Sequence, residues 1–436
     1  MKQAFTSLLT LSFLFLGLVS KTHAQVDKTT ESHLPIIFIH GFLASGDTYE
    51  KQALRFVANG YSQDRIFTFD WNSLSRQESI ISLTDFVAEI LTKTGASKVY
   101  LVGHSAGTGL SYSFMADSSR AALVEAYVNL AGRRMIQLPG TESHRIRTLN
   151  IYSDGDLIVK GSDIPNDIPQ SQNLRFNEHD HYQVATSQES FAAMFEFFTG
   201  EKPSVLDVPI AKKEQIQLSG KVVSLGENHV QEGAQVAIFS LKTNSGERQM
   251  ETAEVIFTVD ENGKWGPFTA KKGVAYEFVV SPAEKGSRSI HYYRAPFYAD
   301  NPFIYLRTLP GQGSMAGMML SGIPKDDGQA AVAIFASQQA VIHGRDNLKI
   351  NGIELSTAQW AKPESSNIAW FLYDANNNQE SDFTPISTFA MMPFLMGIDV
   401  YFPSKSEKTQ RAELNGQTLH FLNRKSESEG IVVLVF

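Results

Sequence analysis

The sequence predicts an α/β architecture, a mainly parallel sheet with helices on both faces, followed by a β-sandwich-like C-terminal region. Three observations predict it. Residues 34–200 alternate short apolar runs with segments of helical period, which is how a helix-covered parallel sheet reads. The stretch 201–215, EKPSVLDVPIAKKEQ, breaks that periodicity with Pro203, Pro209 and a charged cluster. Beyond it come Val-, Ile- and Phe-rich runs punctuated by Asn-Gly and Asp-Gly turns.

In order, the predicted strands of the first region are 35–40, 65–71, 98–103, 125–130, 148–152 and 173–176. Two helical segments between them bury a face: Ile80, Leu83, Val87, Ile90 and Leu91 recur at three- and four-residue spacing, as do Phe191, Met194, Phe195 and Phe198. After the linker at 201–215, runs at 235–240, 253–259, 276–281 and 331–335 read as strands. Turns at Asn262-Gly263, Asp327-Gly328, Asn351-Gly352 and Asn415-Gly416 separate strand runs. They suggest a β-rich domain over 216–313 and a second over 314–436, closed by the apolar strand 430–436.

Length and composition are those of a globular, multidomain chain: 436 residues, 42% hydrophobic and 19% charged. A formal charge of −8 leaves no basic surface for phosphates, which excludes nucleic acid as an expected partner. Lys2, the apolar run Leu8–Val19 and the small-residue site Thr22-His23-Ala24 follow the grammar of a secretory signal peptide over 1–24. The run falls short of the roughly 20 apolar residues of a spanning helix. A secreted or periplasmic mature chain without an integral membrane segment is therefore expected. With no cysteine, an exported chain has no disulfide framework and must rely on packing.

The sharpest chemical signal is Lys98–Gly107, KVYLVGHSAG, where an apolar strand runs into Gly103-His104-Ser105-Ala106-Gly107. A Gly-x-Ser-x-Gly pentapeptide alone is weak, but here it lies between a strand and a helix, as a nucleophile elbow requires. Upstream, the first strand ends in His40-Gly41-Phe42. Acyl transfer places negative charge on a carbonyl oxygen, and two fixed backbone N–H groups can stabilise it. Phe42 and Ala106 are the candidate donors. The serine needs a histidine base oriented by a carboxylate. NIYSDGDLIV at 150–159 offers Asp154 or Asp156, and NEHDHYQV at 177–184 offers His179 or His181, in the order Ser, acid, His of the α/β-hydrolase fold. The His179-x-His181 spacing alone is a poor zinc signature, so no metal and no cofactor is expected.

The elbow, the His40-Gly41-Phe42 loop, Ser153–Val159 and His181–Ser187 together resemble the small secreted microbial lipases built on a minimal α/β-hydrolase core. The resemblance covers about 34–200. Matched position by position, it implies Asp156 as acid and His181 as base, beside Ser105. The tail is similar, less specifically, to the β-rich C-terminal domain of a narrower lipase group implicated in long-chain substrates. That match includes Ser219–Val222, Gly233-Ala234 and Tyr276–Phe278.

The expected activity is carboxylic-ester hydrolysis, on acylglycerols, with an ester or lipid substrate met at a lipid–water interface as the partner. A polysaccharide acetyl or feruloyl esterase with a carbohydrate-binding tail is the alternative. All the candidate catalytic groups precede the linker, so the tail is expected to govern which substrates are reached and to supply none of the chemistry.

Overall fold

The computed structural model describes Met1 and residues 33–159, 166–311, 313–404 and 409–436. The signal peptide expected over 1–24 lies, Met1 apart, outside the described residues. No described helix is long and apolar enough to cross a membrane.

The first region forms β1 (Ile36–Ile39), α1 (Glu50–Ala58), β2 (Ile66–Phe69), α2 (Arg76–Thr94), β3 (Val99–His104) and α3 (Ala106–Met115). It continues through β4 (Val124–Leu130), β5 (Arg147–Ser153), β6 (Gln172–Phe176) and α4 (Gln188–Thr199). The sheet order is β2-β1-β3-β4-β5-β6, with every neighbouring pair parallel. Parallel strands covered on both faces read as unbroken apolar runs, and β1, IIFI, is buried along its whole length. Its alternating side chains serve two cores. Ile36 and Phe38 pack with Phe56 of α1 and with Phe191, Met194, Phe195 and Phe198 of α4. Ile37 and Ile39 face Leu83, Val87 and Ile90 of α2 and Leu110 and Phe114 of α3, with Ile80 and Leu91 packed at the margin. Both sequence-predicted helix faces are therefore core.

The second region begins with β7 (Gln215–Ser224) and runs through β8 (Gln235–Ser240), β9 (Val255–Thr258), β10 (Lys264–Lys271), β11 (Tyr276–Ser281), β12 (Ile290–Arg294) and β13 (Asn301–Thr308). A six-residue helix, α5 (Met315–Leu320), precedes β14 (Val332–Phe335), β15 (Ala369–Tyr373), β16 (Leu395–Asp399) and β17 (Ile431–Val435). A three-stranded sheet has the order β10-β7-β13. An eight-stranded sheet has the order β9-β8-β11-β12-β17-β14-β15-β16. The last strand, β17, lies parallel between β12 and β14, so residues 216–313 and 314–436 contribute to one sheet. Glu277 of β11 is buried within it and bonded to Arg248 at 2.6 Å, His291 at 2.7 Å and Arg424 at 3.1 Å. This supplies the partners that a buried charge requires.

The segment 201–214 carries no helix or strand; it starts against the first region and, by Ala211 N–H to Tyr298 O at 2.8 Å, has reached the second. Asn59, just past α1, caps it: its Oδ1 accepts from the N–H groups of Ser204 and Val205 at 2.7 and 3.0 Å.

Candidate active site

The elbow is built by steric necessity. Strand β3 ends at His104 and α3 starts at Ala106, leaving Ser105 at φ 51°, ψ −119°, a conformation that L-residues adopt only under constraint. Its N–H donates to Leu130 O at 2.9 Å, and its carbonyl accepts from Thr108 N and Oγ1 at 3.0 and 2.7 Å. A Cβ at Gly107 would stand 2.4 Å from Ile39 O, so helix and strand approach this closely only over a glycine.

The sheet brings Asp156 and His181 together. His181 Nδ1 donates to Asp156 Oδ2 at 2.7 Å, and the other carboxylate oxygen accepts from the N–H groups of Ile158 and Val159 at 2.9 and 3.2 Å. Burial pushes the Asp156 pKa up. The hydrogen bond and charge of His181 and the two N–H groups outweigh burial and hold it below its ordinary value. With Nδ1 committed to a carboxylate, Nε2 is the nitrogen left to take a proton.

The other candidates go elsewhere. Asp154 is half-exposed and pairs with Arg175 through bonds of 2.7 to 3.0 Å. His179 stacks on Phe176 with ring centroids 4.1 Å apart, and its Nε2 lies 3.6 Å from Glu189. His104 is buried beside His181, its Nε2 donating to the main-chain oxygen of that residue at 3.0 Å. Burial is the largest of the effects that pull its pKa down to about 3, so it stays neutral.

Both candidate oxyanion donors flank Ser105. Ala106 opens α3, where the first N–H groups of a helix have no intrahelical acceptor. Phe42 lies on the loop after β1, and this loop backs on the elbow: a Cβ at Gly41 would be 3.2 Å from Ser105 Cβ. Ser105, His181, Phe42 and Ile158 line one cavity of about 220 Å³.

The particular residues that complete that cavity were not identified from sequence. Its far wall comes from the tail and includes Met319, Leu320, Phe335, Phe371 and Leu395. The tail also grips two of the loops that carry candidate catalytic groups, the one with His181 and the one after β1. At the His181 loop, Arg345 Nη2 and Ala340 N–H reach Asp180 Oδ2 at 2.8 and 3.2 Å, and Thr186 Oγ1 donates to Gln338 O. At the loop after β1, Arg307 reaches Ser45 Oγ at 2.6 Å and Asp47 Oδ2 at 2.6 Å. Asp70 accepts from Gly46 N–H, Lys221 Nζ and Tyr305 OH, each at 2.8 Å.

Residues 33–116 match the family model of Lipase (class 2), and residues 214–309 match that of the Lipase C-terminal domain. Over these two segments the chain is similar to class-2 lipases and to the lipase C-terminal domain. The class-2 lipase segment holds Phe42, Ser105 and Ala106 and stops short of Asp156 and His181. The lipase C-terminal segment holds Lys221, Tyr305 and Arg307. Residues 326–433 match a further C-terminal-domain model. A putative non-heme chloroperoxidase of Synechocystis sp. is 37% identical over 81 residues, 17% of this chain. That match spans 28% of the relative's own length. Among solved structures, Aspergillus fumigatus lipase B is similar over 42% of this chain and 56% of that one, at 13% identity and TM-score 0.33. Bacillus licheniformis lipase BlEst2 in mature form is similar over 39% and 93%, at 15% identity and TM-score 0.30.

Proposed function

We propose that this protein is a serine carboxylic-ester hydrolase of lipase type that cleaves acyl esters, acylglycerols among them, through an acyl-enzyme on Ser105. The observation that carries the reading is the 2.7 Å bond from His181 to the buried Asp156, on the cavity that Ser105 and Phe42 also line. Ser105 Oγ attacks the ester carbonyl while His181 Nε2 takes its proton. The oxyanion receives the N–H groups of Phe42 and Ala106. Collapse expels the alcohol, protonated by the imidazolium, and water then repeats the sequence on the acyl-enzyme to release the acid.

The apolar wall supplied by Met319, Leu320, Phe335 and Phe371 favours an acyl chain over an acetyl group. A buried methylene contributes about 0.8 kcal/mol, or about fourfold in kcat/KM if the whole of it is realised in the transition state. A p-nitrophenyl ester series is therefore expected to climb steeply from acetate through butyrate to longer chains. A flat series, or turnover confined to acetylated or feruloylated polysaccharide, would overturn the lipase assignment in favour of a polysaccharide esterase.

We also propose export. Support comes from the pattern of Lys2, the apolar run Leu8–Val19 and Ala24. N-terminal sequencing of the protein from periplasm or medium should begin near Gln25. A chain retained in the cytoplasm with its first residues intact would refute it.

A further inference from the structure

We infer that Asn228, a side chain of the C-terminal region, is a positioning residue for the oxyanion loop of the hydrolase core. It reaches across from the turn after β7 and ties both ends of the segment bearing Phe42 to one amide. The inference rests on the ester-hydrolase reading above.

The turn that presents Asn228 is closed by local bonds. Asn228 N–H donates to Ser224 O at 3.1 Å, and His229 N–H donates to Ser224 Oγ at 3.0 Å. Asn228 itself sits at φ 59°, in the left-handed region that asparagine and glycine tolerate best. Its side chain is buried, and its Nδ2 faces three acceptors: Ala44 O at 2.8 Å, Trp71 O at 3.1 Å and His40 Nε2 at 3.2 Å. His40 immediately precedes Gly41-Phe42-Leu43, and Ala44 immediately follows it.

The environment selects a donor. His40 Nδ1 donates to Gly41 O at 2.8 Å, which leaves Nε2 a single lone pair, shared between Trp71 N–H at 3.1 Å and the Asn228 amide at 3.2 Å. Burial is the main cause that brings the His40 pKa down to about 4, so the ring is neutral through the working range. An amide nitrogen fits among two carbonyl oxygens and a ring lone pair, whereas an oxygen in its place would meet only lone pairs. Phe42 contributes to catalysis through where its main-chain N–H points. A displacement of about 1 Å in such a group can cost about 10²-fold in rate.

Asn228→Gly tests this cleanly. Glycine accepts the left-handed backbone without strain, so the substitution removes the amide and leaves the turn. Asn377→Gly is the control, since Asn377 is exposed, has the same φ of 59° and lies outside the site. With p-nitrophenyl butyrate, Asn228→Gly is expected to lower kcat by about 10- to 100-fold with KM within about twofold, and Asn377→Gly to change neither. The Ki of an alkylboronic acid, which forms a tetrahedral adduct on Ser105, should rise by a similar factor. Because Ki reports only on correctly folded sites, partial unfolding of the variant would lower kcat and leave Ki unchanged, and that result would overturn the inference. A kcat within twofold of wild type would overturn it equally. A wild-type protein that hydrolyses no ester would instead refute the ester-hydrolase reading.

Discussion

Ser105→Ala is expected to fold like the wild type and to lose ester hydrolysis by several orders of magnitude. Alanine keeps the Cβ and the backbone that the elbow already holds at φ 51°, with Leu130 and Thr108 still bonded to it through main-chain atoms at residue 105. What disappears is the attacking oxygen. Loss of a triad member leaves about 10³- to 10⁴-fold of catalysis over water, supplied by the oxyanion hole and binding. Turnover of p-nitrophenyl butyrate above a tenth of wild type would contradict the assignment of Ser105.

The second large effect separates two pairs of neighbours. Asp156→Asn and His181→Ala are each expected to cost about 10³-fold or more in kcat. Asparagine at 156 would favour the wrong tautomer of His181, and alanine at 181 would remove the base. Asp154→Asn and His179→Ala should stay within a fewfold of wild type. Asp154 is engaged by Arg175, and His179 stacks on Phe176 beside Glu189, so neither meets the other as acid and base. Rates for the four variants, each checked for fold by circular dichroism, decide the matter. A dead His179→Ala beside an active His181→Ala would place the base two residues earlier and reopen the choice of acid.

The reason these pairs stay ambiguous in sequence is physical. Asp154 and Asp156 both follow β5, and His179 and His181 both follow β6, so chain order and strand ends admit either. Only side-chain direction separates them, and it depends on partners such as Arg175 and Phe176 that spacing does not reveal. The resemblance to small secreted lipases, matched position by position, picks the pair that the fold brings to 2.7 Å. The sheet itself was far more legible. An all-buried parallel strand such as β1 announces itself as IIFI, and α2 and α4 show their core faces through helical spacing.

The tail is legible as β-rich texture and through its resemblance to a lipase C-terminal domain, but its topology is not. That β17 inserts between β12 and β14 depends on pairings across a hundred residues or more, such as Val332 with Val432 and Ile290 with Ile431, for which no local pattern exists. The same holds for the clamps on the site. Asn228 meets His40 across 188 positions, and Arg345 meets Asp180 across 165. In sequence the first is a polar residue in a Gly-Glu-Asn-His turn and the second a surface-like arginine. The expectation that the tail governs which substrates are reached names none of these contacts. Tail side chains hold the loop after β1 and the loop bearing His181, two of the loops that carry the candidate catalytic groups.

The central claim, that Ser105 is the nucleophile of an ester hydrolase, is tested most directly by titration with a fluorophosphonate. The account predicts a single phosphonyl adduct, mapped to the peptide containing Gly103–Gly107, with p-nitrophenyl butyrate hydrolysis lost in proportion to labelling. Hydrolysis that persists when Ser105 is fully labelled, or that is lost with the adduct on another residue, would contradict it.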